Sequence, residues 1–299
     1  MTVYNLGSLN IDYVYSVSKF VRPGETVCAR ERNVFPGGKG LNQSVALAKA
    51  GAKVVHGGLI GFEGDFLLDT LKKAGVDVSG ILKVPESTGH AVIQVEDSGQ
   101  NSIILFPGAN HKIDREYIDS FLAEAGKDDI LLLQNETSGL DYAFAAAKSK
   151  GMKIAFNPSP FKENIKSLPL KDVDLWLCNE IEGSELSGER KPEKIIDGII
   201  SKYGESDVLL TLGKDGSVLS SRGKRYYQDI FPVETVDTTA AGDTFTGYFI
   251  SCISSGCKEE DGLKIAAAAS AIAVSQKGAS ISIPEMKEVK KLLETGNVF

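Results

Sequence analysis

The chain has few of the residues that build metal sites and cystine frameworks: four cysteines and three histidines in 299 residues. Cys28, Cys178, Cys252 and Cys257 show no CxxC spacing, and His56, His90 and His111 are scattered, so neither a zinc site nor a disulfide scaffold is indicated. A cationic surplus is missing too, since 33 Lys and Arg against 40 Asp and Glu leave a net charge of −7 and a pI near 5.2. Binding to nucleic acid without sequence preference, or to an anionic membrane, needs the opposite sign, so neither is expected as a partner. No apolar run approaches bilayer length, the longest lying around Ile265 to Val274, and MTVYNLGSLNIDY lacks a basic start followed by an apolar stretch. A reduced, cytoplasmic setting is expected. Neither GxxxxGKS/T nor GxGxxG occurs, which excludes a Walker phosphate loop and weakens a dinucleotide-dependent oxidoreductase.

With 42% hydrophobic and 24% charged residues, the chain suits one large domain over residues 1 to 299. Short β-branched or Leu-rich runs, DILLLQNE, KIAFNPS, DLWLCNE and DVLLTLG, are separated by stretches expected to be helical. Strand followed by helix, repeated, predicts an α/β fold: a central, mainly parallel sheet with helices on both faces. Residues 12 to 35, and HAVIQVEDSGQNSIILF within residues 88 to 106, read instead as strands in hairpin succession, the second pair turning at Asp97-Ser98-Gly99. They predict a small β-sheet flap inserted into the core. Several core strands end in polar clusters, Gln134-Asn135-Glu136, Asn157-Pro158-Ser159, Asn179-Glu180-Ile181-Glu182 and Thr211-Leu212-Gly213, where open parallel sheets bind ligands.

Two stretches carry the chemistry. In FPGGKGLNQSVALAKAG, Gly37, Gly38 and Gly40 permit a close approach to a ligand and feed a helix expected from about Leu41 to Gly51, although a plain turn before a helix fits as well. In VDTTAAGDTFTGYF, Phe245, Phe249 and, just beyond, Ile253 repeat at helical spacing, which puts Asp243 in the first turn of a buried helix. Ala240, Ala241 and Gly242 are small enough for their amides to face a polyanion at that N-terminus. A carboxylate there repels a phosphate, so it makes sense either as a base or, more plainly, as an N-cap.

GGKGLNQ at Gly37 to Gln43 and DTTAAGDTF at Asp237 to Phe245, about 200 residues apart, resemble the two signatures of the ribokinase-like sugar kinases, the PfkB family. The likeness continues through GSLNIDY at Gly7, STGHAV at Ser87, FPGAN at Phe106 and KGASISIP at Lys277. The resemblance implies ATP-dependent phosphorylation of an alcohol and a β lid over the sugar that often joins two copies, hence a homodimer. By the same match, Asn10, Asp12, Gly38, Lys39, Asn42 and Glu136 hold the sugar, and Asp243 is the base, with Ala240, Ala241 and Gly242 as the anion hole. Asn179, Thr211, Gly213, Gly216 and Gly242 fall to the nucleotide, and Glu182 to Mg2+, reached through water. Asp237, Thr239, Ala273, Gln276, Gly278 and Ser282 match an activating K+ site, with Gln276 standing where some relatives carry Arg. Each residue taken singly also fits a cap or a turn. D-ribose is the acceptor that the resemblance favours. Another sugar or a nucleoside stays open, a phosphorylated sugar is disfavoured by Asp12, Glu136 and Asp243, and a binding protein without turnover is the reading from another class.

Overall fold

The computed structural model describes residues 1 to 296. In chain order the strands are β1 (Val3–Leu6), β2 (Asn10–Val17), β3 (Glu31–Gly37), β4 (Val54–Ile60), β5 (Asp77–Lys83), β6 (Gly89–Glu96), β7 (Asn101–Phe106), β8 (Ile130–Gln134), β9 (Lys153–Asn157), β10 (Leu175–Asn179), β11 (Asp207–Thr211), β12 (Ser217–Ser221) and β13 (Lys224–Gln228). The α-helices are α1 (Lys39–Lys49), α2 (Asp65–Lys73), α3 (Arg115–Phe121), α4 (Leu140–Ser149), α5 (Glu180–Ser187), α6 (Pro192–Tyr203), α7 (Ala241–Ser254), α8 (Glu259–Val274) and α9 (Met286–Thr295).

A nine-stranded sheet in the order β13-β12-β11-β10-β9-β8-β1-β4-β5 is parallel from β11 to β5 and ends in an antiparallel hairpin, β12–β13. Its strands are apolar on both faces because both are covered. Ile130 and Leu132 of β8 join a core with α1, α2, α7, α8 and α9, whereas Leu131 and Leu133 join a second core with α3 to α6. The chain leaves β1 toward β4 and β5, then returns to place β8 on the other side of β1. That reversal opens a crevice at the carboxyl ends of β1 and β8.

The expected helix between KIAFNPS and DLWLCNE is absent. Two 3-10 turns, Glu163–Ser167 and Leu170–Asp172, make that crossover. Pro160 and Pro169 bracket the segment, and each lacks the N–H of the helical ladder and sets its ring against the carbonyl four residues before it, so no continuous helix runs through either. Helix α1 starts at Lys39, two residues before the expected position, and ends before Gly51, whose φ is 97°. It lies close against α7, because a Cβ on Gly247 would stand 2.4 Å from Ala46 Cβ and 2.8 Å from Leu47 N.

The expected flap is a separate four-stranded sheet, β3-β2-β6-β7. Its two antiparallel pairs, β2–β3 and β6–β7, meet along a parallel seam between β2 and β6. It enters the core fold in two places, between β1 and α1 and between β5 and α3.

Candidate active site

The glycine loop before α1 packs chain on chain. A Cβ on Gly40 would stand 2.4 Å from Gly7 C and Ser8 N, on Gly38 2.7 Å from Ser8 O, and on Gly37 2.1 Å from Asp12 Oδ2. These glycines therefore seat the loop on the end of β1 and beside Asp12. Ser8 Oγ donates to the Glu136 carboxylate, whose Oε2 also accepts from Lys39 N at 3.1 Å. Asn10 Oδ1 accepts from Asn110 Nδ2 at 2.8 Å, so the Asn10 amide keeps its N–H groups for a ligand. Burial, and then the charge of Glu136, push the Asp12 carboxyl up to about 7. Burial would lower the Lys39 ammonium, but Asp243, Glu136 and Glu182 outweigh it and hold it above its ordinary range.

The start of α7 faces this loop. Ala240 sits in the left-handed region at φ 60° and turns the chain into the helix. The Ala241 amide bonds back to Thr238 O at 3.2 Å and the Thr244 amide to Ala240 O at 2.8 Å, so Gly242 and Asp243 have the amides left for an anion. A Cβ on Gly242 would meet nothing within 4 Å. Asp243 is no N-cap. Its buried carboxylate reaches across to α1, with Oδ2 accepting from Asn42 Nδ2 at 3.0 Å and Oδ1 from Gln43 Nε2 at 2.9 Å.

Two cavities meet at this helix start. The larger, about 490 Å3, is lined by all five residues assigned to the nucleotide, Asn179, Thr211, Gly213, Gly216 and Gly242, and its far wall includes Phe231, Ala267 and Val274. Gly216 is required there, since its φ is 89° and a Cβ would stand 2.2 Å from Gln228 O. The smaller, about 220 Å3, is lined by Lys39, Glu182 and Asp243 among others, and shares Asn179, Thr211, Thr238, Ala241 and Gly242 with the larger. Asn179 and Glu182 form a capping box: Asn179 Oδ1 accepts from Glu182 N at 2.9 Å and Glu182 Oε2 from Asn179 N at 3.0 Å. The plain reading of that pair is thus met, while Glu182 still faces the smaller cavity.

The residues matched to the cation site lie on two stretches that touch. Asp237 Oδ2 accepts from Gly278 N at 3.0 Å and Oδ1 from Thr239 N at 2.9 Å, and Val274 O accepts from the amides of Val236 and Asp237. Burial would raise the Asp237 carboxyl, but hydrogen bonds from Thr239 and Gly278 hold it below its ordinary value. Ala273 O accepts from Gln276 N at 3.2 Å, and Ser282 is buried close by in sequence. Sequence reasoning missed Ser8, Asn110, Gln43 and Gln134. Gln43 and Gln134 stood inside the motifs already singled out, but no periodic signal marks an amide that bonds a residue 91 or 200 positions away.

A buried carboxylate beside free amides at a helix start, between a nucleotide-sized cavity and a polar loop at the switch of strand order, defines a phosphotransferase acting on an alcohol. The model of the pfkB family carbohydrate kinases matches residues 2–286. A ribokinase of Haemophilus influenzae is 37% identical over 98% of this chain and 98% of its own. The crystal structure of a Thermotoga maritima ribokinase superposes with a TM-score of 0.90 at 36% identity, over 99% of this chain and 100% of that one. An Arabidopsis thaliana ribokinase complexed with ribose and ATP gives 0.86 at 33%, over 98% of each chain. The chain belongs to the pfkB family of carbohydrate kinases.

Proposed function

We propose that the chain transfers the γ-phosphoryl group of ATP to the primary hydroxyl of D-ribose, giving ADP and ribose 5-phosphate. The observation that carries this reading is Asp243, buried at the start of α7, bonded to Asn42 of α1 and lining the smaller cavity where it adjoins the larger. Asp243 takes the proton from the hydroxyl as its oxygen forms the new P–O bond and the bond to the β-phosphate oxygen breaks. Charge on the moving group is met by the amides at the start of α7, Gly242 and Asp243 foremost, with Ala240 and Ala241 shaping the turn. Asn10, Asp12, Gly38, Lys39, Asn42 and Glu136 hold the sugar, pairing amides and carboxylates with vicinal hydroxyls that an acceptor without them would leave unpaired. Asn179, Thr211, Gly213, Gly216 and Gly242 hold the nucleotide.

Among the described residues no cluster of three or more acidic, histidine or cysteine side chains could cage a metal. Mg2+, which keeps several waters and takes few carboxylates, suits such a site when it enters on the phosphates, with Glu182 reaching it through water. Once bound it would neutralise phosphate charge. The contacts of Asp237 with Thr239 and Gly278 hold these two stretches together, and K+ would be held there by Asp237 and by oxygens of Thr239, Ala273, Gln276, Gly278 and Ser282. The four-stranded sheet serves as the lid, from residues 12 to 35 and 88 to 106, and exposed Ile103, Ile104 and Phe106 of β7 suit it to pair with a second copy. Among the described residues no helix is long and apolar enough to cross a membrane, and we place the enzyme in the cytoplasm.

The test is ADP release over ribose, other pentoses, fructose, fructose 6-phosphate and nucleosides, with and without K+. Ribose should give the highest kcat/KM, and a large margin for any other acceptor would overturn the assignment. Asp243→Asn should lower kcat by about a hundredfold to ten-thousandfold with little change in the sugar KM.

A further inference from the structure

We infer that Gln43 is a positioning residue that holds the Asp243 carboxylate in one plane, its own amide locked donor-forward by Gln134 and Asn157. The inference rests on Asp243 being the base. Gln43 is fully buried and Gln134 nearly so. On its nitrogen side Gln43 donates to Asp243 Oδ1 at 2.9 Å and to Asn157 Oδ1 at 3.2 Å. Asn157 cannot turn its amide round, because its Nδ2 donates at 2.6 Å to Leu177 O, a carbonyl that only accepts. On its oxygen side Gln43 accepts from Gln134 Nε2 at 2.7 Å. Gln134 in turn donates to Asn5 Oδ1 at 2.9 Å, and Asn5 Nδ2 donates to Gly40 O at 2.9 Å and Ser44 Oγ at 2.8 Å.

The chain of amides is therefore anchored at both ends on main-chain carbonyls, Leu177 O and Gly40 O, and has one direction. A reversed Gln43 would set its carbonyl against the carboxylate and leave three neighbours mispaired in a buried site. With Asn42 on Oδ2 and Gln43 on Oδ1, Asp243 is held in place before substrate arrives. That matters to the rate of proton transfer and hardly to binding, since Gln43 is fully buried and lines neither cavity.

The experiment compares kcat and KM, for ribose and ATP, in Gln43→Met, Gln134→Met, the double variant and Asp243→Asn, with thermal melts of each. Gln43→Met, close in length but without hydrogen bonds, should lower kcat by about tenfold to a hundredfold while both KM values stay within about twofold. Gln134→Met should lower kcat less, and the double variant should fall no further than Gln43→Met, as expected of links in series. A folded Gln43→Met with kcat within about twofold of the parent, or effects that multiply in the double variant, overturns the inference. Should Gln43→Met fail to fold, Gln134→Met decides alone: an unchanged kcat sinks the relay, and a fall in kcat at constant KM upholds it. An Asp243→Asn protein that keeps its turnover removes the base and this inference together, whereas an inactive Asp243→Asn beside an unimpaired Gln43→Met removes the inference only.

Discussion

The Asp12 carboxyl should be visible in the pH dependence of sugar use. Held at about 7 by burial and by Glu136, it titrates around neutral pH. As a proposed sugar ligand, the ionised form offers both oxygens as strong acceptors to hydroxyls, whereas protonation turns one into a donor and weakens the other, so the hold on the sugar should weaken as pH falls. For a group that titrates near 7, the ionised fraction drops from about nine-tenths at pH 8 to about one-tenth at pH 6. The kcat/KM for sugar, which reports groups of the free enzyme, should fall about tenfold over that interval, with kcat at saturating sugar changing less. Initial rates of ADP release at low sugar, taken across the interval, measure it. Asp12→Asn should lower kcat/KM and remove the limb, and Glu136→Gln should move the limb to lower pH because burial alone then raises the group. A flat profile between pH 6 and 8, or a limb that survives in Asp12→Asn, would refute the reasoning. Stability should run the other way. A carboxyl raised from 3.8 to about 7 in the folded chain contributes fully below about 4 and loses that contribution as pH rises through 7. Asp12→Asn should therefore raise Tm at pH 8 and leave it nearly unchanged at pH 3.5.

Two further expectations concern the frame around the site. Gly40→Ala pushes a methyl group into the backbone of Gly7 and Ser8, at 2.4 Å, and should cost about 3 kcal/mol or more; a Tm within about 2 °C of the parent would contradict the packing described. His56, bonded through Nδ1 to Ser44 and held by burial to about 3, stays neutral in the folded chain while the unfolded chain takes up a proton below about 6.5. Stability should decline as pH falls from about 6.5 toward about 3, and His56→Gln, which does not titrate, should flatten that side of a urea-midpoint profile.

The parallel core was legible because its strands are apolar on both faces and end in Asn, Glu, Thr or Gly, so that Leu131 to Glu136 reads as buried strand and then site. The DTTAAGDTF stretch was legible for a similar reason, since a helical apolar period starting just after small residues marks an exposed helix start. The crossover after β9 was misread because Leu and Ile in SPFKENIKSLPLKD mimic a helix, while Pro160 and Pro169 prevent one. The β12–β13 hairpin went unread, its turn at Arg222 and Gly223 carrying positive φ at both positions without an Asn-Gly signal. Contacts between polar side chains were the least legible. Asn42 and Gln43 meet Asp243 only because α1 and α7 are adjacent, and Asn110 meets Asn10 from 100 residues away.

Gly247 lets α1 and α7 pack closely, so the helix that offers Lys39 and Asn42 and the helix that offers Asp243 form one bracket. On this packing, a sugar entering the crevice would displace the four-stranded sheet proposed as the lid sooner than it would part Asp243 from Asn42.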